Sequence, residues 1–212
     1  ELSTLDVDLS KTILIIDTLK KFTDMLSKTE LKSFISLLRK LQASGATVCL
    51  LCHTNKYPTL SGDLIYEGTS DLRNDIDNLV YLYSSLVEKG VREVTTAPDK
   101  TRATFEPISF RISFGDWGVD VEELDEVLPC FTDESREVFN TCVNAITEDI
   151  RGSEELVQYV KEALMVGDNK AREKIKTVLD MKHSPLVRMR SESGRGFTFR
   201  LKSEVKTDFS EF

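Results

Sequence analysis

The sequence is short of histidine, cysteine and positive charge, and each shortage closes a class of function. There are two histidines, His53 and His183, and four cysteines, Cys49, Cys52, Cys130 and Cys142. Cys49, Cys52 and His53 lie on one extended segment and cannot converge on a single ion. Cys49 also sits inside an apolar run rather than at a helix start, where a thiol would be activated. The cysteines therefore read as plain buried thiols in a reducing, cytoplasmic setting. Lysine and arginine total 28 against 36 acids, a formal net charge of −8. That excludes a uniformly basic nucleic-acid binder, although not a protein with one basic face. No window is apolar enough for a membrane span and no signal peptide is read, so no membrane partner is expected. No G-x-S-x-G elbow occurs and His53 has no nucleophile beside it, which argues against an α/β-hydrolase. Internal repeats and low-complexity tracts are absent as well.

What is present is a 212-residue chain, 40% hydrophobic and 30% charged, of the composition of a soluble globular protein. Its charge is unevenly spread. Residues 1–115 are net −1, residues 116–152 net −9 and residues 153–212 net +2.

The run TILII at 12–16, ending at Asp17, predicts a buried parallel strand. Leu31, Phe34, Ile35, Leu37, Leu38 and Leu41 recur at helical spacing over 29–43, with Thr29 as the expected cap and Gly45 beyond the end. ATVCLLC at 46–52 predicts a second buried strand, which completes a βαβ unit. Residues 54–70 are polar and long enough for a loop beside a site. A short helix or turn is expected at 71–77 and strands at 78–84, 91–97 and 107–114, the last two as a hairpin at the sheet edge. Residues 117–133 read as an acidic linker. Helices are expected at 133–150, 154–166 and 169–182, with Gly167 closing the second. LVRMR, a SESGRG turn and FTFRLK complete a helices-then-hairpin outline, and His183 reads as a turn residue.

An apolar strand ending in aspartate, ILIIDT, is the arrangement of a Walker B strand, whose aspartate serves the Mg²⁺ of a nucleoside triphosphate. His53 ends the next strand, at the edge where α/β proteins bind ligands; a local hydrogen bond is the plainer alternative. Lys100 and Arg102, two apart in the expected hairpin, face the same side on a strand. There they would stabilise charge on a transferring phosphoryl group or simply solvate an edge.

Taken in order, ILIIDTLKKF, GATVCLLCHTNK, YEGTSDLRNDIDNLVYL and DKTR resemble the RecA-like ATPase core of hexameric replicative helicases of the plasmid and phage type, over residues 11–115. The resemblance implies an α/β fold: a RecA-like P-loop NTPase core fragment. Asp17 matches the Walker B aspartate, binding ATP through Mg²⁺. His53 matches the polar residue that couples the phosphate state to DNA-binding loops. Residues 56–71 look like a loop facing the central channel, with Lys56 toward DNA. Lys100 and Arg102 match the lysine and arginine finger pair that reaches a neighbouring subunit's ATP, and Asp75 and Asp77 match acids of structural role. One motif departs. No G-x-x-x-x-G-K-[ST] occurs, and the Gly-rich stretches at 62–68 and 194–196 do not stand in for it. In the family the P-loop and the catalytic glutamate precede the Walker B strand. The expectation is a piece of a larger ATPase, or an inactive relative, that does not hold ATP and Mg²⁺ tightly by itself.

Residues 153–212 resemble a winged-helix module, with helix 169–182 in the recognition position and SESGRG as the wing. Lys170, Arg172, Lys174 and Lys176, with Arg195 in the wing, would be its DNA contacts. Arg188, Arg190, Arg200 and Lys202 add charge nearby. A net +2 is a modest footprint, so contact with DNA and contact with protein both stay open. The expected organisation is a core at 1–115, an acidic linker and helix at 116–152 and this module at 153–212. The expected function is part of an ATP-dependent DNA helicase of replication or recombination. It would act on single- or double-stranded DNA as a homo-oligomer, a hexameric ring in the full-length protein. The alternative is a DNA-binding regulatory or adaptor protein with a non-catalytic, oligomerising α/β core.

Overall fold

β-branched runs and amphipathic periods become strands and helices in a computed structural model that describes residues 7–55, 63–191, 194 and 196–207. The protein is a mixed α/β structure whose described residues fall into two units. No helix among the described residues is long and apolar enough to cross a membrane.

The first unit holds β1 (Ile13–Asp17), α1 (Lys28–Ala43), β2 (Thr47–Leu51) and the short α2 (Ser70–Asp75). β1 and β2 are parallel, in a register that runs from Ile13 opposite Thr47 to Asp17 opposite Leu51. Leu31, Ile35 and Leu38 repeat along one side of α1 and bury against Leu14, Ile16, Val48 and Leu50 from the strands, with Leu19, Met25 and Leu72 completing the core. The helix is capped by Ser27, whose hydroxyl accepts from the Glu30 amide, and not by the expected Thr29. Gly45 turns the chain into β2 with φ +102°, and a Cβ there would lie 2.8 Å from the Ser10 nitrogen. The sequence reads β1 and β2 as buried on both faces. Only the α1 side is covered: Ile16 is 5% exposed, whereas Ile13 and Ile15 are 69% and 63% exposed.

The second unit contains a four-stranded sheet of β3 (Leu79–Glu88), β4 (Val91–Lys100), β5 (Ser109–Gly115) and β6 (Gly118–Leu124), in that spatial order, although Leu79 and Lys100–Arg102 themselves group with the first unit. These strands make a sheet of their own and not an edge on the β1–β2 pair. β6 corrects the linker expected at 117–133. Its valines, Val119 and Val121, alternate with Asp120 and Glu122, and the strand pairs antiparallel with β5. Such alternation is a strand pattern that a search for continuous apolar runs passes over, and here both faces of the strand stay open, Val119 and Val121 included.

A helical part follows, with α3 (Asp133–Thr147), α4 (Ser153–Ala163), α5 (Asp168–Asp180), the hairpin β7 (Leu186–Arg190) and β8 (Phe197–Leu201), and α6 (Lys202–Thr207). Val138, Cys142 and Ile146 of α3, Leu156 and Val160 of α4, and Ile175 and Val178 of α5 form one core, closed by Leu186 and Phe199 of the hairpin. α3, grouped by sequence with the linker, is thus one of three core helices. Thr132 and Ser135 cap it reciprocally. α4 runs into a left-handed residue at Met165 (φ +51°), and Gly167, expected to close it, is the N-cap of α5 instead. His183 takes φ +58° in the turn before β7, as its sequence reading anticipates.

Candidate functional site

Two parallel strands with one crossover helix bring both of their C-terminal ends to one edge. Asp17 is the last residue of β1 and lies opposite Leu51; His53 follows two residues beyond. Both side chains are exposed. The peptide between Asp17 and Thr18 is cis, and the Thr18 hydroxyl beside it is buried with no partner among the described residues. The Asp17 carbonyl accepts from Lys21 Nζ at 3.2 Å. His53 is held through its backbone. Its carbonyl accepts from the Glu67 amide at 2.9 Å, the Asn55 amide donates to the Ile65 carbonyl at 2.6 Å, and Thr54 and Tyr66 form an antiparallel bridge. The long polar loop is therefore pinned at both of its ends next to the strand edge. Lys56 lies outside the described residues.

A single strand-end carboxylate suits a water-mediated contact to Mg²⁺, which is bound through one or two carboxylates and keeps several waters. It is not a cage, and no group of three histidine, cysteine or acidic side chains is poised to hold a metal among the described residues. Phosphates need clustered backbone amides and a lysine. At this edge Lys21 is engaged with the Asp17 carbonyl and no Gly-rich amide loop adjoins Asp17 among the described residues, so the edge offers a lone carboxylate for a metal and no cradle for phosphates.

Lys100 and Arg102 do not share the face of a strand as expected. Lys100 ends β4, and Arg102 lies in the bend beyond it. Both turn onto the segment 73–78. Lys100 Nζ donates to the Arg73 and Asn74 carbonyls at 2.8 and 3.0 Å, in the last turn of α2, where a cation also meets the negative end of the helix. The Arg102 guanidinium pairs with Asp77 at 2.9 Å, and its amide donates to Asn78 Oδ1 at 3.1 Å. The second Asp77 oxygen accepts from Gln42 Nε2 at 2.8 Å, and Arg39 donates to the Asp75 carbonyl at 2.7 Å. Asp75 Oδ1 lies 3.7 Å from Arg39, so both acids have a basic neighbour within the same unit. Sequence reasoning missed Gln42, Arg39 and Asn78. The only signal was the i, i+3 spacing of Arg39 and Gln42 on the polar side of α1.

The expected recognition helix, α5, has its charge neutralised from within. Lys170 pairs with Glu173 at 3.0 Å, Arg172 binds Glu154 with both terminal nitrogens at 3.2 and 2.5 Å, and Lys174 pairs with Glu134 of α3. Arg172 holds the Glu154 carboxyl below its usual range, and Lys174 does the same to Glu134 against the upward push of burial. Lys176 stays exposed, and Arg195 lies outside the described residues. In the hairpin, Arg188 stands 4.4 Å over the Phe197 ring.

The four thiols divide by burial. Cys130 and Cys142 are buried as expected, and burial pushes the Cys142 thiol up to about 12. Cys49 and Cys52 are exposed, a correction: Cys49 lies on the uncovered face of β2, and Cys52 just past the strand's end. Comparison with known protein families, curated proteins and solved structures finds no match.

Proposed function

We propose that the chain forms the Walker B side of a RecA-like, DNA-dependent ATPase of the helicase type, acting in the cytoplasm on DNA replication or recombination as a ring-forming homo-oligomer. The observation that carries this reading is the shared edge of β1 and β2. The exposed carboxylate of Asp17 and the exposed imidazole of His53 both lie at the C-terminal side of neighbouring parallel strands, where ligands of α/β sheets bind. The bare apolar face of the same two strands, Ile13, Ile15 and Leu51, supports a further covering layer, because parallel sheets are buried on both sides. In this reading that layer brings the P-loop, ATP supplies the phosphoryl group when bound, and Asp17 orients the magnesium waters. His53 senses the phosphate end of the site, and Lys100 and Arg102 act on a neighbouring subunit's nucleotide once released from residues 73–78. The helical part with its hairpin serves as a winged-helix-like nucleic-acid contact.

The gene's reading frame upstream of residue 1 is the direct test, and a Walker A motif there is the expected finding. In the protein bearing it, Asp17→Ala and Arg102→Ala each lower DNA-stimulated ATP turnover by at least about 100-fold. Unchanged turnover in both variants sinks the assignment. One observation favours the second reading, a DNA-binding regulatory protein with a non-catalytic core: Lys100 and Arg102 both have partners within the chain. Under that reading Asp17→Ala leaves every nucleotide-dependent property untouched.

A further inference from the structure

Positive charge in the helical part is spent where it was expected to act and left free elsewhere. Along α5, four basic residues meet three acids in sequence, and Lys170, Arg172 and Lys174 are each paired to a glutamate. Residues 186–202 carry five basic residues against one acid. The register of the hairpin explains where that charge emerges. Leu186 lies opposite Leu201, Arg188 opposite Phe199 and Arg190 opposite Phe197, so all six share one face. At the base of the hairpin Leu186 and Phe199 are buried in the helical core. Toward the tip the strands outrun that core, and the same face presents Arg188, Arg190 and Phe197, all exposed. Phe197 keeps 43% of its surface open with the Arg188 guanidinium 4.4 Å from its ring centroid, and neither arginine pairs with an acid among the described residues.

Cations beside an open aromatic ring are what single strands use: guanidiniums take phosphates and the ring stacks a base of any identity. Duplex readout through the major groove would instead call on helix-borne donors, and three of the four cations of α5 are already paired to glutamates. We propose that the tip of the β7–β8 hairpin binds single-stranded nucleic acid through Arg188, Arg190 and Phe197, without reading base sequence. The inference deepens the nucleic-acid part of the function proposed above and rests on it, but on none of its nucleotide chemistry.

The test is fluorescence anisotropy with the whole chain, no ATP present, and a labelled oligodeoxythymidylate of about 16 nucleotides. Absence of ATP keeps a failure here distinct from a failure of the ATPase reading. Replacing both arginines (Arg188→Ala with Arg190→Ala) weakens binding at least about 10-fold and lowers the slope of log affinity against log salt by about 1.4. Phe197→Ala weakens binding about 10-fold with the salt slope unchanged. Arg188→Lys with Arg190→Lys retains the salt slope, which separates lost charge from misfolding. Unchanged binding in the hairpin variants, or tighter binding to a duplex of equal length, overturns the proposal. So does a chain that ignores the oligonucleotide and binds polyglutamate, which would point to an acidic protein partner.

Discussion

Side chains far apart in sequence set the charge state of single residues here. Asp133 opens α3, and burial pushes its carboxyl up. The Leu86 amide at 2.6 Å and the Arg92 guanidinium at 3.0 and 3.1 Å more than offset that and hold it below the ordinary aspartate value. A depressed carboxyl contributes stability above its unfolded pKa and loses it as pH falls through the folded one. Asp133→Asn is therefore expected to lower the urea midpoint at pH 7, by no more than about 1 kcal/mol because the pair is open to solvent. The difference from wild type should shrink as pH falls below the ordinary aspartate range and through the lowered folded-state pKa. Urea titrations at pH 7 and at stepwise lower pH measure this, and a gap that does not narrow in acid contradicts it. None of these partners is legible locally: Leu86 and Arg92 lie 47 and 41 residues from Asp133. The same distance problem led α5 to be read as basic. Glu154 and Glu134, which neutralise Arg172 and Lys174, are 18 and 40 residues away.

Periodicity decided how well each element could be read. α1, α3, α4 and α5 announce themselves by apolar residues three and four apart, and each forms within a few residues of its expected span. Their ends are less legible, because caps depend on which hydroxyl meets which amide. At α3, Thr132 Oγ1 accepts from the Ser135 amide at 3.2 Å, and Ser135 Oγ accepts from the Thr132 amide at 2.9 Å. Thr132→Ala should cost about 1 kcal/mol, while Thr132→Ser should cost much less. Chemical denaturation followed by circular dichroism reads the difference, and equal losses would deny the cap its role. Strands are the harder case. β1 and β2 stand out as β-branched runs, whereas β6 hides behind its acids.

For the molecule as a whole, the unusual feature is how much apolar sheet faces water. Ile13, Ile15 and Leu51 line the outer side of β1 and β2. In the second sheet the register aligns Phe114 with Val119 and Ile112 with Val121, and Trp117 at the turn is fully exposed. Patches of this kind mark contact surfaces or aggregation sites. Serine at both 13 and 15 is expected to reduce dye binding to apolar surface and self-association, measured by light scattering, while the far-ultraviolet dichroism keeps its shape. Association unchanged in that double variant would place the contact elsewhere, the exposed face of the second sheet being the next to test.

By itself the sequence determined the mixed α/β class, the order strand, helix, strand at the start, and the three helices with a terminal hairpin. All of these rest on the spacing of apolar residues, which is a local property. It also determined that Asp17 ends the first strand, whereas His53, read as the end of the second, lies two residues past it. The tertiary structure decided what no spacing encodes: that those two strands are parallel neighbours sharing an edge, and that one of their faces is bare. It also decided that Lys100 and Arg102 are tied to residues 73–78, and that three of the four cations of α5 are paired to glutamates while Arg188 stands over the Phe197 ring in the hairpin. The physical reason is common to these cases. An ion pair, a sheet neighbour or a covered face depends on groups brought together across tens of residues, and only the folded chain fixes which groups meet.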